Sequence, residues 1–451
     1  MKVTVIGTGY VGLTTGAALA YLGHDVTFVD KKPEIVEKLS AGTPTIHESG
    51  LAELMAAGRQ RSTFQQVIPE LSGERVVLIA VGTPSKENGD ADLKYVDSAA
   101  TDLADRIQEG ARLVVVNKST VPVGSARHVY GIITRRLAAR GVKAEIHVAS
   151  NPEFLAEGRA VHDSLYPDRI VVGSDTPHPL AVMRELYAPI LEQTFESPAG
   201  TPRPERFELP PLITTTTTSA ELTKYAANAF LATKISFINE FSVLAEKVGA
   251  DVVEVARAIG LDSRIGSKFL NAGIGWGGSC FGKDTAAVLA LGGSYDYQMP
   301  LVRAAVDVNR RQRLYVVEKL QHHLKILRGT TIGLLGLAFK GNTDDLRDAP
   351  ALTLIRELVD RGAVLRVHDP VATPNAKALY PDLPVEYAAT ELELAEGCDA
   401  LVVVTDWPQY KRLDFQALAG VMRGDLLLDA RNLLQASTVS QAGLNYVGIG
   451  R

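Results

Sequence analysis

The sequence predicts an α/β fold with two doubly wound domains joined by a long central helix and a helical middle region. Short apolar runs alternate with helical patterns up to about residue 175, and the same alternation returns after about residue 330. One continuous helical pattern lies between the two series. At 451 residues the chain is also too long for a single ordinary core.

The first series contains six predicted strands. They alternate with helical segments, which is the pattern of βαβ units and a parallel sheet. Six such strands make a Rossmann-like doubly wound domain. The predicted strands span residues 2–7, 25–30, 75–82, 113–120, 145–150 and 169–173.

The second series predicts a second Rossmann-like domain for the same reason. Its predicted strands span residues 330–336, 364–369, 385–388, 400–406, 426–431 and 444–449. We therefore expect an N-terminal domain at residues 1–205, a central helical region at residues 206–318 and a C-terminal domain at residues 319–451.

The central helical pattern begins near Thr218, because Thr218 and Glu221 have the T-x-x-E spacing of a capping box. It runs to about Val248, and Gly249 suits the position just after a helix. About 30 residues give a rod of about 45 Å, which could connect two domains and build a subunit interface. Residues 197–218 hold five prolines and a run of five threonines, which indicates a surface loop or insert.

Composition and charge exclude several classes of function. The net charge is −5 and no basic block occurs, so we expect no nucleic-acid and no membrane partner. The N-terminus begins directly with a strand and shows no signal-peptide pattern, which favours a cytoplasmic location. The only cysteines, Cys280 and Cys398, exclude a disulfide framework and a cysteine-rich zinc site, and we expect no metal.

A glycine-rich motif follows the first predicted strand and opens a helix. Its first glycine permits a tight turn, its second lets backbone approach a pyrophosphate, and its third lets the helix pack on the strand. The free N–H groups at the helix N-terminus suit phosphates. The motif consists of Gly7, Thr8, Gly9, Tyr10, Val11 and Gly12.

Asp30 ends the second predicted strand, 18 residues after Gly12. A carboxylate at this place can bond a ribose 2′-hydroxyl and repels a 2′-phosphate, which favours NAD over NADP. Lys31 and Lys32 follow directly and oppose that preference. The alternative, a purely structural glycine turn, leaves the coincidence of strand, helix and acidic residue unexplained.

The stretch 275–284, GWGGSCFGKD, predicts a reactive thiol. Its four glycines allow close approach of a ligand to Cys280, and Lys283 could lower the thiol pKa, since the thiolate is the nucleophile. Asp284 is placed to act on a water or to orient the lysine. The alternative is a buried structural cysteine in a tight turn, and that interpretation is the one we favour for Cys398.

A second group of polar residues follows a strand. Asn151 fits a helix N-cap and Pro152 fits the first helical position, so we expect a helix with Glu153 and Glu157 on one face. Like charges at this spacing are mildly unfavourable. At the C-terminal edge of a parallel sheet they indicate a ligand site, and a solvated helix face is the alternative.

Lys224 and Asn228 are also four residues apart, near the start of the central helix. An ammonium and an amide could together hold an oxyanion, whereas an exposed helical pair is the alternative.

Two strand ends add polar groups near the expected cofactor. The fourth strand ends with Thr120, which offers a hydroxyl near the nicotinamide position, and the third ends with Gly82, Thr83 and Pro84.

Together these residues lie in motifs that resemble the UDP-glucose/GDP-mannose dehydrogenase family. The match covers nearly the whole chain, and the Cys-Phe order at residues 280–281 is similar to the UDP-glucose branch. The motifs are GTGYVGL, VGTP, KSTVPVG, NPEFLAEG, AELTKYAANAFLATKISFINE, RIGSKFLNAGIGWGGSCFGKD, GLAFKGNTDDLRDAPA and DARN. The resemblance implies an N-terminal NAD-binding domain, a central dimerisation region and a C-terminal domain for the UDP-sugar.

The activity that the resemblance implies is the four-electron oxidation of UDP-glucose to UDP-glucuronate with two NAD. A thiol beside a nicotinamide suits this chemistry, because a thiohemiacetal is a tetrahedral hydride donor and its oxidation gives a thioester that water hydrolyses. Cys280 would be the nucleophile. Lys224 and Asn228 would stabilise the oxyanion at C6, with Glu157 supporting Lys224.

Further roles follow from the resemblance. Glu153 would act as acid and base, and Asp284 with Thr120 would position the water. Arg264 would reach the substrate of a neighbouring subunit, which implies at least a homodimer. The cofactor contacts would be Gly7, Gly9, Tyr10, Val11, Gly12, Asp30, Gly82, Thr83, Pro84, Thr120, Lys283 and Arg347. The substrate contacts would be Phe154, Leu155, Lys224, Asn228, Arg264, Phe269, Gly273, Phe339, Lys340 and Arg431.

Five positions depart from the family pattern. Ser49, Gly282 and Gly341 stand where proline is usual, Ala272 also replaces a proline, and Trp276 replaces a phenylalanine. Since Trp276 is near the expected sugar contacts, these departures bear on substrate choice.

Other functions remain open at this level. Within the family, the substrate could be GDP-mannose or a UDP-N-acetylhexosamine. A simple two-electron hydroxyacid dehydrogenase would have no use for Cys280 or for a second α/β domain. A non-catalytic nucleotide sensor would have no use for the combination of Cys280, Lys224, Asn228 and Asp284.

Overall fold

The computed structural model describes residues 1–451. It divides into two compact units, Met1–Ala227 and Asn228–Arg451. The division falls inside the long helix Thr217–Val248, which contributes its first turns to one unit and the remainder to the other. None of the helices combines the length and the apolarity that crossing a membrane requires.

The first unit contains an eight-stranded sheet. Its strands are β1 (Lys2–Ile6), β2 (Asp25–Val29), β3 (Ser62–Gln65), β4 (Glu74–Ile79), β5 (Arg112–Asn117), β6 (Glu145–Ser150), β7 (Ile170–Gly173) and β8 (Leu212–Thr215). The order is β3-β2-β1-β4-β5-β6-β7-β8. Only β6 and β7 pair antiparallel, so β7 and β8 run opposite to the other six strands.

Helices connect these strands, as expected for a doubly wound domain. They are α1 (Tyr10–Tyr21), α2 (Pro33–Ser40), α3 (Leu51–Ala57), α4 (Lys94–Arg106), α5 (Ser125–Arg140), α6 (Ala160–Leu165), α7 (Pro177–Glu192) and the start of α8 (Thr217–Val248). A short 3₁₀ turn covers Arg59–Arg61.

The central strands are buried on both faces, which explains their continuous apolar sequence. In β4, Val76 and Leu78 pack into one cluster, whereas Val77 and Ile79 pack into the cluster on the opposite face. This alternation follows from the two-residue period of a strand.

All six predicted strands of this unit are confirmed, and the sheet has two more. Strand β3 has the polar sequence STFQ, so it carries no apolar signal. Strand β8 lies in the segment 197–218, and the prediction of a loop is wrong for residues 212–215. Hydrogen bonding to β7 stabilises β8 as a strand, and local composition does not predict this pairing.

The predicted capping box at the start of α8 is also wrong. The helix begins at Thr217, and the Thr217 N–H bonds Asp175 at 3.3 Å. The Glu221 carboxylate instead accepts hydrogen bonds from the N–H groups of Gly124 and Ala126, at 2.6 and 2.9 Å. It therefore serves the N-terminus of α5, whose first N–H groups have no partner within their own helix.

The second unit carries the rest of α8 and eight further helices. They are α9 (Val252–Gly260), α10 (Phe281–Ser294), α11 (Pro300–Leu324), α12 (Pro350–Asp360), α13 (Thr373–Leu379), α14 (Glu391–Ala395), α15 (Phe415–Val421) and α16 (Ala436–Gln441). The C-terminus of α8 lies as predicted, with Gly249 at φ 74° directly after Val248.

A six-stranded parallel sheet completes this unit. Its strands are β9 (Thr331–Leu335), β10 (Val364–His368), β11 (Glu386–Tyr387), β12 (Ala400–Val403), β13 (Leu426–Asp429) and β14 (Asn445–Val447). Their order is β11-β10-β9-β12-β13-β14, the order of a dinucleotide-binding fold. The predicted second Rossmann-like domain is thereby confirmed.

Each sheet carries an aspartate at the same place, directly after the strand next to its first strand. These residues are Asp30 after β2 and Asp369 after β10. The carboxylate of Asp369 is 5 % exposed and accepts five hydrogen bonds. The donors are the backbone N–H groups of Leu337, Ala338, Val371 and Ala372 and the indole of Trp407.

Candidate active site

The glycine-rich turn after β1 forms the cradle that the sequence predicts. Gly7 has φ 96°, and a Cβ on it would lie 2.6 Å from the carbonyl oxygen of Ala80. A Cβ on Gly12 would lie 1.9 Å from the oxygen of Gly7, so no side chain fits there. Gly9, in contrast, faces open space. No side chain caps α1, so its N–H groups suit a pyrophosphate.

Asp30 is held at the edge of this cradle. Its Oδ2 accepts hydrogen bonds from the N–H and the hydroxyl of Thr8, at 3.1 and 2.7 Å. The opposing effect expected from Lys31 is weakened, because Lys31 bonds Ser98 and pairs with Asp102 at 2.7 Å. The residues present therefore fit an adenine dinucleotide with a free ribose diol.

Two further loops lie at the same edge of the first sheet. The Thr83 hydroxyl donates to the carbonyl oxygen of Thr120 at 2.8 Å, and Ser119 donates to Val81 at 2.6 Å. These bonds join the loop after β4, with Gly82 and Pro84, to the loop after β5. The half-buried Thr120 is thus fixed at the carboxyl end of the strands, where ligands of such sheets bind.

Lys224 and Glu153 form a buried ion pair in the first unit. Their Nζ and Oε1 atoms lie 3.0 Å apart, and the side chains are 4 % and 7 % exposed. Burial opposes the charge of Glu153. The charge and hydrogen bond of Lys224, the N–H of Leu155 and the charge of Lys118 outweigh it and hold the pKa of Glu153 below its usual value. Glu153 is therefore a carboxylate at neutral pH.

The helix predicted to begin at Pro152 is absent, and this prediction is wrong. Residues 151–159 form a loop, and α6 begins only at Ala160. The buried Glu48 carboxylate accepts hydrogen bonds from the N–H groups of Gly158 and Ala160, both at 2.7 Å, and so fixes the helix start there. Glu153 and Glu157 are half-buried or buried loop residues and do not share a helix face.

The ring of Phe154 lies near two cations. The guanidinium carbon of Arg169 is 3.7 Å from the ring centroid, and the Lys224 nitrogen is 5.5 Å from it. Burial lowers the pKa of Arg169. The family resemblance implies that Phe154 contacts the substrate, but nothing in the sequence pointed to Arg169, because a cation over a ring has no fixed spacing along the chain.

The cysteine loop in the second unit is held by backbone hydrogen bonds. The amide of Asn309 accepts from the Trp276 N–H at 2.8 Å and donates to the Trp276 carbonyl at 3.0 Å. Asn239 accepts from the Gly273 N–H at 2.8 Å. Arg313 adds a bond of 2.8 Å to the Trp276 carbonyl. Asn239, Asn309 and Arg313 are all buried, so the loop rests on buried polar side chains.

Cys280 occupies the N-cap position of α10 and is half-buried. A thiol at a helix N-terminus is favoured as thiolate, because the helix dipole and free N–H groups stabilise negative charge. Cys398 is fully buried and donates to the Leu394 carbonyl at 3.0 Å. Burial raises its pKa to about 11, which suits the structural place that the sequence predicts for it.

Asp284 is buried in the first turn of α10 and joins two other predicted site residues. Its Oδ2 accepts a hydrogen bond of 2.5 Å from the Asn228 amide, and its Oδ1 accepts one of 2.5 Å from Lys283. Asn228 lies one helical turn after Lys224 on α8, so both side chains leave the same face of that helix. The orientation of the Asn228 amide is thus fixed by Asp284.

Several predicted substrate residues have partners within the second unit. Arg431 donates to the carbonyls of Val404, Gly275 and Phe339, which ties strand ends to the cysteine loop. Gly278 packs under the Phe339 ring, since a Cβ there would lie 2.7 Å from it. Lys340 lies 5.4 Å from the same ring.

Phe269, Arg347 and Arg264 are less enclosed, whereas Trp276, which departs from the family pattern, is buried. Phe269 has φ 65°, and its ring meets Phe281 edge to face at 6.4 Å. Arg347 bonds Asp345 at 2.6 Å. Arg264 is 87 % exposed and pairs with Asp262, an exposure that suits a contact with another subunit. Trp276 is 6 % exposed, and its indole donates to Ser236 at 3.1 Å.

Comparison with known proteins identifies the family of the chain. Three models of one family match the chain: its NAD-binding domain at residues 1–191, its central domain at residues 218–311 and its UDP-binding domain at residues 333–436. The chain belongs to the UDP-glucose/GDP-mannose dehydrogenase family. The predicted NAD cofactor and oxidoreductase class are thereby confirmed.

Relatives in this family are similar over their full length. The UDP-glucose 6-dehydrogenase of Rhizobium meliloti is 44 % identical over 100 % of both chains. TuaD, the UDP-glucose 6-dehydrogenase of Bacillus subtilis, is 42 % identical over 100 % of this chain and 93 % of its own. The structure of a UDP-glucose dehydrogenase from Pyrobaculum islandicum is 36 % identical, covers 100 % of this chain and 97 % of its own, and has a TM-score of 0.85.

The structure also identifies buried charges whose contacts sequence reasoning missed. Glu48, Lys118, Arg169 and Glu221 are buried or half-buried charges, and each contacts a loop of the NAD-binding domain or the edge of its sheet. A charged residue inside an otherwise apolar or motif-rich stretch was the available signal, because charges are seldom buried without a partner.

Proposed function

We propose that this protein oxidises the C6 alcohol of UDP-glucose to the carboxylate of UDP-glucuronate, using two NAD and one water per sugar. The observation that carries the proposal is the half-buried thiol of Cys280 at the start of α10, in a loop fixed by buried polar groups. The names of relatives 42–44 % identical over the whole chain support UDP-glucose as the substrate.

The first oxidation converts the alcohol to an aldehyde. As the C6 hydroxyl loses its proton, negative charge develops on its oxygen, and the ammonium of Lys224 with the amide of Asn228 would stabilise it. The Lys224–Glu153 pair keeps the ammonium in place, and Asp284 orients the amide. NAD bound in the first unit would supply the hydride acceptor for each of the two oxidations.

The second oxidation would proceed on Cys280. The thiolate adds to the aldehyde carbon, the C–S bond forms, the C=O π bond breaks, and the oxygen takes up one proton to become the hydroxyl of a thiohemiacetal. Loss of a hydride and a proton gives a thioester. The placement of the thiol at a helix N-terminus supports this step, because the thiolate is the attacking form.

Hydrolysis of the thioester completes the reaction. Water adds to the thioester carbonyl, the C–S bond breaks, and the thiol and the carboxylate are released. Glu153 is suited to accept the proton from water, because its carboxyl stays ionised. Asp284 and Thr120 would position the water, and Glu157 would support Lys224.

We also propose that the protein works as a homodimer through α8. Five large apolar side chains recur along this helix with spacings of seven, four, three and four residues, and each is 40–68 % exposed. They are Phe230, Phe237, Phe241, Leu244 and Val248. A sustained apolar stripe of this kind marks a contact surface. Arg264 would then contact the substrate of the partner subunit.

The stoichiometry of the reaction tests the function. Purified protein with limiting UDP-glucose should produce two NADH per sugar and UDP-glucuronate as the only oxidised product. The same assay with GDP-mannose and with UDP-N-acetylhexosamines separates UDP-glucose from those alternatives. One NADH per sugar with a free aldehyde would overturn the covalent mechanism, and faster turnover of another sugar nucleotide would replace the substrate.

A further inference from the structure

Lys118 is a buried cation that the proposed mechanism does not use. It directly follows β5, and its side chain is 7 % exposed. Its Nζ donates to the Oδ1 of Asn151 at 3.0 Å and to the hydroxyl of Tyr187 at 3.4 Å. Both of these hydrogen-bond acceptors are neutral. Such burial is unfavourable, and an apolar side chain of similar length would pack there with less cost.

The hydrogen bonds of Asn151 connect this cation to the site. Asn151 Oδ1 also accepts from Tyr187 at 2.6 Å, and its Nδ2 donates to the carbonyl of Val171 at 2.7 Å. Asn151 is thereby fixed at the carboxyl edge of the sheet. Two residues later the chain places Glu153, whose carboxylate pairs with Lys224.

The charge of Lys118 also acts on this pair directly. Its positive charge contributes to keeping Glu153 ionised. The charged groups that act on Lys118 in turn are Glu153 and Lys224. The cluster thus consists of two ammonium groups and one carboxylate inside the protein.

We infer that Lys118 is a positioning residue, which fixes the start of the loop that carries Glu153 through its hydrogen bond to Asn151 and adds a second positive charge to the Glu153–Lys224 cluster. The inference rests on the proposed function, in which Glu153 and Lys224 handle charge and protons at C6. Lys118 itself touches no reacting atom in this account.

Three substitutions separate charge from hydrogen bonding. Lys118→Met removes both, Lys118→Gln keeps a donor for Asn151 without the charge, and Lys118→Arg keeps the charge. The measurement is kcat as a function of pH with UDP-glucose. In the Met and Gln variants the acid limb of the profile should move to higher pH by about 1 unit, because Glu153 loses a stabilising charge. The Arg variant should retain the parental acid limb.

A purely structural role for Lys118 would lower kcat or stability and leave the acid limb where it is. A Met or Gln variant that folds and shows the parental acid limb would therefore overturn the inference. If the Met variant does not fold, the Gln variant carries the same test. If the parent protein produces two NADH per UDP-glucose and the variants keep the parental acid limb, only the role of Lys118 is refuted. If the parent protein oxidises no sugar nucleotide, both proposals are refuted.

Discussion

The two cysteines of this chain lie in different surroundings. Cys280 is half-buried at the N-terminus of a helix, whereas Cys398 is fully buried with its thiol on a carbonyl oxygen. Only the first environment favours the thiolate. The glycines around Cys280 made this distinction visible in the sequence, because a purely structural cysteine has no use for them.

Replacing Cys280 by serine should abolish formation of the acid. The hydroxyl is a far weaker nucleophile at neutral pH, and loss of a nucleophile typically lowers kcat on the order of 10⁴-fold. Mass spectrometry of the product and NADH counting measure the result. Cys398→Ala is the matched control and should keep kcat near that of the parent. UDP-glucuronate production at parental rates by Cys280→Ser would show that the thiol is not used.

Because Lys118 is buried, we expect the free energy of unfolding to depend on pH. Burial lowers its pKa from 10.5 to about 8, so the folded state binds this proton less tightly than the unfolded state does. Stability should therefore rise from about pH 8 to about pH 10.5, because only the unfolded chain still carries the charge there.

Melting temperatures of the parent and of Lys118→Met between pH 7 and pH 10.5 measure this effect. The melting temperature of the variant minus that of the parent should decrease across the interval, since only the parent loses an unfavourable buried charge. A constant difference would mean that Lys118 titrates normally in the folded protein.

At the scale of elements, the cysteine loop depends on the helices beneath it. Asn309 on α11 makes two hydrogen bonds with the backbone of Trp276. Asn309→Ala leaves the buried Trp276 N–H without a partner and opens a small cavity, so we expect a loss of about 2–4 kcal/mol in the free energy of unfolding. Denaturant unfolding measures it.

The kinetic effect of Asn309→Ala should be larger on kcat than on KM, because the loop carries Cys280. Gln321→Ala is the control, since Gln321 is exposed on the same helix. An Asn309→Ala protein with parental stability and kcat would show that the loop is held by its other contacts.

Elements differ in how well the sequence predicts them, and the reason is where their stabilising partners lie. Strands such as β4 are buried on both faces, so their apolar runs identify them directly. Strand β3 is polar and β8 sits in a threonine run, so only pairing with neighbours reveals them. The segment at Pro152 has good helix-start chemistry, yet the ion pair of Glu153 and the capping by Glu48 keep it a loop.

The residues of the site also differ in how well the sequence predicts them. Motif residues such as Gly7 and Asp284 were predictable, because their chemistry requires those residue types at that spacing. The pairing of Glu153 with Lys224, and of Asn228 with Asp284, joins positions 71 and 56 residues apart. Local patterns contain no information on such pairs, and only the fold supplies it.

For the whole molecule, the exposed stripe on α8 predicts the oligomeric state. A charge at its centre should be incompatible with a packed helix pair, because burying a lysine without a partner is costly. We expect Phe237→Lys to be monomeric where the parent is a dimer, and light scattering after size exclusion measures this. Leu379→Lys, at another exposed apolar position, should leave the mass unchanged. A monomeric parent would refute the proposed dimer.

The six-stranded sheet has the same strand order as the first six strands of the eight-stranded sheet. The two sheets differ in the contacts of the aspartate that follows β2 in one and β10 in the other. All five hydrogen bonds to Asp369 come from its own domain, so that carboxylate has no capacity for a ribose. Under the proposed reaction, NAD would bind only in the first unit of each chain, so the two NAD molecules would bind one after the other. The first NADH would leave and a second NAD would enter while the partly oxidised sugar stays bound.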